Sequence, residues 1–158
     1  MRCPRQNRRV AARADEQRAL RLLEGHSENE RVPVPFPVAM RQRTYARPVE
    51  PFVEAMKAAE EGTVRLRDLV ATQRTVNVGK LRTFIGRPDI VPEGKQGAIG
   101  QKVDLPIVVK YGGESYVHDG HHRLTAQKLR GKDTARAYVV DLDREGWPLK
   151  HWAGSRAA

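Results

Sequence analysis

Five consecutive residues, Asp119, Gly120, His121, His122 and Arg123, carry the clearest chemical signal in this chain. Strand-like sequence precedes them and helix-like sequence follows, which places them at the start of a helix. The backbone N–H groups there lack intrahelical partners and carry a partial positive charge. Imidazoles and a guanidinium oppose that dipole by about 0.3–1 kcal/mol per charge, whereas a bound phosphate would reverse the sign. The pentapeptide therefore predicts an anion-binding turn.

Each of these residues suits a particular role at such a turn. His122 and Arg123, with the backbone N–H groups after Gly120, would hold phosphate oxygens, and a guanidinium can donate two parallel hydrogen bonds. An unperturbed imidazole titrates near neutral pH, so His121 could orient a ligand or exchange a proton. Asp119 would cap the helix, position Mg²⁺ or act as a general base. A simpler alternative is that Asp119 only caps the helix while both histidines face solvent.

The same turn also contains four residues of metal-ligand type, His118, Asp119, His121 and His122. Adjacent side chains point apart at the end of a strand, and no second cluster with ligand spacing occurs elsewhere in the chain. We therefore predict no resident metal site.

Three elements should position the turn. Residues 105–118 favour a β-hairpin, because two strand-like runs flank the turn residues Gly112 and Gly113. Residues 121–130 favour a helix that ends at a glycine. The apolar run at 135–141 predicts a strand inside a mixed sheet.

The preceding sequence supplies the rest of the predicted domain. Residues 63–67 favour a strand, residues 78–86 a helix, and residues 48–61 an amphipathic helix that docks on the core. The fold class predicted for residues 48–145 is thus α/β of the α+β type, a small mixed sheet with flanking helices.

The termini are predicted to lie outside that domain. Residues 1–47 favour a basic arm, a short helix at 15–24 and a Pro-rich linker at 32–38 that cannot form a central strand. Residues 146–158 are predicted to form a C-terminal tail.

The run from Tyr116 to Gly131 resembles the second conserved box of the ParB/sulfiredoxin superfamily, a Gly-x-x-Arg turn followed by a short helix. The stretch from Val64 to Arg74 resembles the first box, a strand and loop with a Gln-Arg element. The resemblance covers roughly residues 62–143, about half of the chain. It implies a nucleotide pocket in which Gln73 and Arg74 approach the phosphates from the side opposite the turn.

Members of this superfamily use the pocket differently. ParB proteins bind and hydrolyse CTP as DNA clamps, sulfiredoxins use ATP to repair oxidised peroxiredoxin, and an archaeal branch phosphorylates free serine with ADP. The catalytic Cys that sulfiredoxins carry after the Gly is His121 here, and the only Cys is Cys3, which argues against sulfiredoxin chemistry. The Asp-Gly-His-His-Arg run is most similar to the ADP-dependent serine-kinase branch, in which a first-box carboxylate acts as base. Asp68 is the carboxylate in that stretch, and we expect it in the strand rather than the loop.

The resemblance therefore implies a nucleotide-binding domain that takes ATP, ADP or CTP with Mg²⁺. Nucleotide hydrolysis or ParB-like nuclease activity beside DNA is the first expectation, with Asp119, His121 and Asp68 as the candidate catalytic residues. A small-molecule kinase or phosphotransferase of the free-serine-kinase type is one alternative. A bacteriophage or plasmid protein that retains the fold and serves a structural or DNA-binding role without catalysis is the other.

The charge of the chain points to a polyanionic partner. The 158 residues carry a formal net charge of +10 and a pI of about 10.3. Five arginines precede the first acidic residue, namely Arg2, Arg5, Arg8, Arg9 and Arg13. This stretch predicts a flexible arm that binds nucleic acid, with DNA as the leading candidate and an acidic membrane surface or a merely solvated basic surface as alternatives.

A single cysteine permits no internal disulfide, which is typical of a reducing cytoplasm. No apolar run is long enough to span a membrane, and no secretory signal is evident. We expect a cytoplasmic location, or a phage-encoded, virion-associated protein. The expected partners are a nucleotide and DNA, with a protein assembly partner as a further candidate. No membrane partner is predicted.

Overall fold

The computed structural model describes residues 4–39, 49–90 and 104–144. Arg2, Cys3 and the predicted tail at 146–158 lie outside these ranges. In chain order the elements are α1 (Pro4–Arg21), β1 (Arg31–Pro33), α2 (Val49–Lys57), β2 (Glu60–Arg65), β3 (Leu69–Ala71), β4 (Thr75–Asn77), α3 (Val78–Gly86), β5 (Ile107–Tyr111), β6 (Glu114–Asp119), α4 (His121–Leu129) and β7 (Thr134–Asp141). This confirms the predicted α+β class.

The main sheet is mixed and has the strand order β2-β7-β5-β6-β3. Strands β5 and β6 form the predicted antiparallel hairpin, whose turn uses Gly112 and Gly113 at φ values of 61° and 81°. Helix α4 then carries the chain back, so that β7 pairs parallel to β5 and antiparallel to β2. The predicted helix at 78–86 coincides with α3, and the predictions of α4 and β7 are confirmed to within a residue at most boundaries.

Two apolar clusters cover the two faces of this sheet. Strand β5 shows the division, because Val108 belongs to one cluster while Ile107 and Val109 belong to the other. Side chains alternate between the faces of a strand, so a continuous apolar run is expected where both faces are buried. Helices α1, α3 and α4 contribute to the first cluster, and Phe52 of α2 contributes to the second.

The predicted flexible arm is corrected by the structure. A single helix, α1, runs from Pro4 through the stretch expected to be mobile, because alanine, arginine and glutamine are all good helix formers. Residues 5–14 are exposed throughout, whereas Ala19 and Leu23 are buried at 0% and 4% exposure in the first cluster. The helix is therefore anchored at one end and projects at the other.

The Pro-rich segment at 32–38 is likewise not a linker. Strand β1 pairs antiparallel with β4 in a separate two-stranded sheet. Val34 and Phe36 are buried in the first cluster. The prolines alternate with these apolar residues, so they leave the apolar side chains free to pack while restricting the backbone to an extended form.

Two further boundaries differ from the sequence prediction. The helix expected at 48–61 ends at Lys57, and residues 60–62 instead belong to β2 because they pair with residues 137–139 of β7. Asp68 lies in a 3₁₀ turn, Leu66–Asp68, and not in a strand.

Among the described residues, no helix is both long and apolar enough to cross a lipid bilayer.

Candidate functional site

Gly120 fixes the start of helix α4. Its backbone is left-handed at φ 93° and ψ 26°, a conformation that glycine adopts without a Cβ clash. A Cβ atom built on Gly120 would lie 2.7 Å from Pro106 Cβ and 2.9 Å from Pro106 Cα. The close approach that the glycine permits is therefore to the segment leading into β5. The backbone N–H of Gly120 also donates to Asp119 Oδ1 at 2.9 Å.

His121 joins α4 to the segment between β3 and β4. It is only 4% exposed, and its Nε2 atom accepts a hydrogen bond from the backbone N–H of Thr72 at 3.0 Å. The Thr72 hydroxyl donates to the Val117 carbonyl at 2.7 Å. An Nε2 atom that accepts is unprotonated, so this contact requires the neutral ring with its proton on Nδ1. His121 is thus held as a buried acceptor rather than presented to solvent as a cation.

His122 makes the equivalent contact with Asn77, at the end of β4. Its Nε2 atom accepts from the backbone N–H of Asn77 at 3.0 Å. Asn77 itself caps α3 by accepting from the Lys80 N–H at 2.9 Å, and its side-chain amide donates to the Glu28 carbonyl at 3.0 Å. Two successive imidazoles therefore tie the first turn of α4 to both ends of residues 72–77.

Arg123 faces a different side of the helix. It is 6% exposed and is one of the residues that line an open pocket. Burial lowers the pKa of the Arg123 guanidinium, because the charged form loses hydration, and the negative charges of Asp119 and Asp104 oppose this shift. A guanidinium is always charged in proteins, so Arg123 is a cation in a partly desolvated position, where electrostatic interactions are stronger than at a free surface.

This pocket, the Arg123 pocket, has a volume of about 470 Å³, within the range of small-molecule sites. It opens between α4, the first residues of β7 and the chain segments at 88–89 and 104–106. Its charged and amide side chains are Asp89, Asp104, Arg123, Gln127, Lys132 and Arg136. Three cations and two carboxylates thus surround one cleft.

Asp104 is the carboxylate that the structure positions most firmly there. Tyr138 donates its hydroxyl proton to Asp104 Oδ1 at 2.8 Å. This hydrogen bond raises the pKa of the Tyr138 phenol, because the protonated phenol donates to the carboxylate. Asp104 therefore accepts from a phenol donor, and its negative charge acts on Arg123.

The predicted site residues do not all come together. Asp119, Gly120 and the two histidines surround the start of α4, and Arg123, next along the helix, is among the residues that line the pocket. Gln73 and Arg74 lie in the loop that the histidines hold, but neither lines the Arg123 pocket: the Gln73 amide donates to the Thr75 carbonyl at 2.8 Å, and the Arg74 side chain is exposed.

Asp68 lies apart from these residues. Its side chain is 57% exposed, approaches Arg67 at 3.8 Å and lines a separate surface depression with Pro37 and Ser115. The structure describes four of the five arginines predicted to bind nucleic acid. All four are exposed and lie on α1, namely Arg5, Arg8, Arg9 and Arg13.

Sequence reasoning missed Asp104, Gln127, Lys132 and Arg136. Gln127 follows Arg123 by four residues, and helical spacing could have placed it on the same side of α4. The other three carry no motif, and they meet Arg123 only because β5, α4 and β7 are neighbours in the fold.

Within residues 4–39, 49–90 and 104–144, no group of three or more His, Cys, Asp or Glu side chains is arranged to hold a metal ion. In comparisons with known proteins, no family model, curated protein or solved structure matches this chain. The functional interpretation therefore depends on the geometry of the site.

Proposed function

We propose that this chain is a nucleotide-binding domain of the ParB/sulfiredoxin type, with the nucleotide phosphates bound in the Arg123 pocket. The observation that carries the proposal is a charged arginine buried in the first turn of a helix at the wall of an open cleft. Such a guanidinium suits bidentate contact with phosphate oxygens, and the positive end of the helix dipole adds to the attraction.

The other residues of the pocket fit the same ligand. Lys132 and Arg136 are exposed cations that line the pocket and would exchange their present ion pairs with Asp15 and Glu61 for phosphate oxygens, and Gln127 supplies an amide. Asp89 and Asp104 provide carboxylates of the kind that bind Mg²⁺ through one or two ligands plus the phosphates themselves. The proposed cofactor is therefore ATP, ADP or CTP, with Mg²⁺ entering as part of the nucleotide complex.

If the domain hydrolyses its nucleotide, Asp104 and Asp119 are the best candidates to activate water, because their negative charges act on the Arg123 guanidinium. His121 is less suited to proton transfer, since its Nε2 atom already accepts from Thr72. A kinase of the free-serine type would need a first-box base in the cleft, and Asp68 lines another depression. A nuclease built on the two histidines would have to break both backbone contacts.

The test is a thermal-shift panel of ATP, ADP, CTP and GTP, with and without Mg²⁺. A nucleotide at about 100 times its Kd should stabilise the fold by about 2.7 kcal/mol. Arg136→Ala and Gln127→Ala should reduce the shift, because both side chains line the pocket and neither is buried. Their midpoints without ligand should stay close to that of the wild type.

Lys110→Ala provides the matched control, because Lys110 is an exposed cation at the other end of β5. It should leave the nucleotide shift unchanged. Arg123→Lys complements these variants by keeping the charge while removing the bidentate fork. The proposal fails if no nucleotide stabilises the wild type, or if Lys110→Ala weakens the shift as much as Arg136→Ala does.

A further inference from the structure

The projecting half of α1 presents a basic face. At 100° per residue, Arg5, Arg8, Arg9 and Arg13 fall within an arc of about 140° around the helix axis. All four are exposed, as is every residue from 5 to 14. The first acidic residue, Asp15, comes only where the helix approaches the body of the domain.

Three contacts join this helix to the turn between α4 and β7, one of them a hydrogen bond of 3.5 Å from the Arg130 guanidinium to the Ala12 carbonyl. Lys132 Nζ lies 3.3 Å from Asp15 Oδ2. An Arg18 guanidinium nitrogen lies 3.5 Å from the carbonyl oxygen of Arg130. The basic face of α1 is thus held in a fixed relation to the α4–β7 turn.

On the far side of the same turn lies a second group of cations. The backbone N–H of Leu66 donates to the Asp133 carbonyl at 2.9 Å, which brings the 3₁₀ turn against the α4–β7 turn. A surface cleft of about 290 Å³ there is lined by Arg65, Arg67, Lys128, Asp133 and Thr134. We call the α1 face, the α4–β7 turn and this cleft together the basic track.

Carboxylates accompany the cations of the cleft and of the α4–β7 turn, but none lies on the exposed stretch of α1, where the arginines repel each other unless an anion neutralises them. The arginines on α1 also stand toward its N-terminus, where the helix dipole is positive and carboxylates would be the stabilising choice. The arrangement is costly for the isolated chain and favourable in contact with a polyanion.

We infer that the basic track binds double-stranded nucleic acid through its phosphate backbone. The exposed stretch of α1 is about 15 Å long at 1.5 Å per residue, and the major groove of B-DNA, about 12 Å wide, admits a helix. An arc of arginines on such a helix can reach phosphates of both strands. Arg65, Arg67 and Lys128 lie across the α4–β7 turn and extend the contact beyond the groove.

A duplex fits this surface better than a single strand. Single-strand binding draws on base stacking over exposed aromatic rings. The exposed large apolar side chains of the described residues are Val10, Leu22 and Val38, none of which is aromatic. Phosphate contact without stacking is the mode by which proteins bind duplexes independently of sequence.

The experiment measures binding of the full chain to a short fluorescein-labelled DNA duplex by anisotropy, between about 50 and 200 mM NaCl. Two triple variants remove cations from the two ends of the track: Arg5→Gln/Arg8→Gln/Arg9→Gln, and Arg65→Gln/Arg67→Gln/Lys128→Gln. The control, Lys57→Gln/Lys110→Gln/Arg144→Gln, removes the same formal charge from residues outside the track. Lys57 approaches Glu54, Lys110 lies opposite Asp141 in the backbone register of β5 and β7, and Arg144 approaches Glu60. None of the substituted residues lines the Arg123 pocket.

The slope of log K against log salt should fall by about 0.9 for each phosphate contact removed, hence by about 2–3 in each track variant. The control should keep the wild-type slope, and circular dichroism should show all variants folded. The same strand as a single strand should bind more weakly, and an RNA duplex competitor shows whether the sugar matters. Equal slope changes in all three variants, tighter binding of the single strand, or no binding at the lowest salt would overturn the inference.

Discussion

At the scale of single residues, the two histidines are the least expected feature of the site. Their spacing beside a glycine and an arginine predicts an anion site, and the turn and helix start were predictable on that basis. Their actual partners, the N–H groups of Thr72 and Asn77, lie 49 and 45 residues upstream, so no local pattern could indicate them. The sequence therefore predicted the turn, but not that both histidines accept backbone hydrogen bonds while Arg123 lines the pocket.

Replacing Gly120 by alanine tests how strictly the turn is constrained. We expect a loss of roughly 2–4 kcal/mol in the free energy of unfolding, from the left-handed backbone and the contact with Pro106. Gly113→Ala is the matched control, since its φ is +81° and its Cβ would meet nothing within 4 Å. Urea unfolding of both variants separates backbone strain from the clash, and equal losses would show that Pro106 yields.

His121→Ala tests the buried tether. Removing the ring leaves the Thr72 N–H without this acceptor, at a cost of about 1–3 kcal/mol, and opens a cavity besides. His26→Ala is the control, because His26 is exposed and bonded to an exposed Glu30 at 2.6 Å, so a change within about 0.5 kcal/mol is expected. A His121→Ala protein as stable as the His26→Ala protein would contradict a structural role for the tether.

The bond between Tyr138 and Asp104 predicts a pH dependence. A phenol whose pKa is raised in the folded state contributes stability that is fully present below the unfolded pKa, near 10, and is lost as the pH rises through the folded value. Asp104→Asn should therefore lower the pKa of Tyr138. Absorbance titration near 295 nm, with Tyr138→Phe to identify the signal, measures the change. An unshifted tyrosine in Asp104→Asn would show that the hydrogen bond does not control this group.

At the scale of elements, helices and strands that depend on local sequence were predicted, whereas those that depend on partners distant in sequence were not. The β5–β6 hairpin, α3, α4 and β7 carry their own turn glycines, caps or apolar runs, and all were predicted. Strand β2 was misassigned at its start because Glu60, Glu61 and Gly62 are poor strand formers that become a strand by pairing with β7. The helix predicted at 15–24 overlaps the second half of α1, and only its extension back to Pro4 was missed. The β1–β4 pair was missed because its two strands are distant in sequence.

The attachment of α1 can be tested with two adjacent leucines. Leu23 is 4% exposed within the first cluster, whereas Leu22 is 59% exposed. Leu23→Ala should cost about 2–5 kcal/mol, and Leu22→Ala should change stability by no more than about 0.5 kcal/mol. Thermal or urea unfolding measures both, and similar small effects would mean that the N-terminal segment is not part of the core.

At the scale of the whole molecule, the N-terminal segment and the sheet share one core. Leu23, Val34 and Phe36 belong to the same cluster as Val108 and Leu124. We therefore expect a single cooperative unfolding transition, as is usual for domains of this size. Amide hydrogen exchange should protect the last turn of α1 to nearly the same extent as α4. Much faster exchange in that turn would indicate a separately unfolding segment.

The hairpin, α4 and β7 have a consequence for how the chain acquires its structure. Residues 107–141 form a continuous unit in which each element contacts a near neighbour in sequence, whereas β2 and β3 must close long loops to pair with it. Loop closure costs entropy before distant contacts repay it, so we expect this unit to form early and to dominate the folding nucleus. The turn at Gly120 would then form before residues 72–77 dock, and the two imidazoles would accept their backbone hydrogen bonds as docking occurs. On this view the start of α4, next to the proposed phosphate-binding pocket, is also the surface on which residues 72–77 dock during folding.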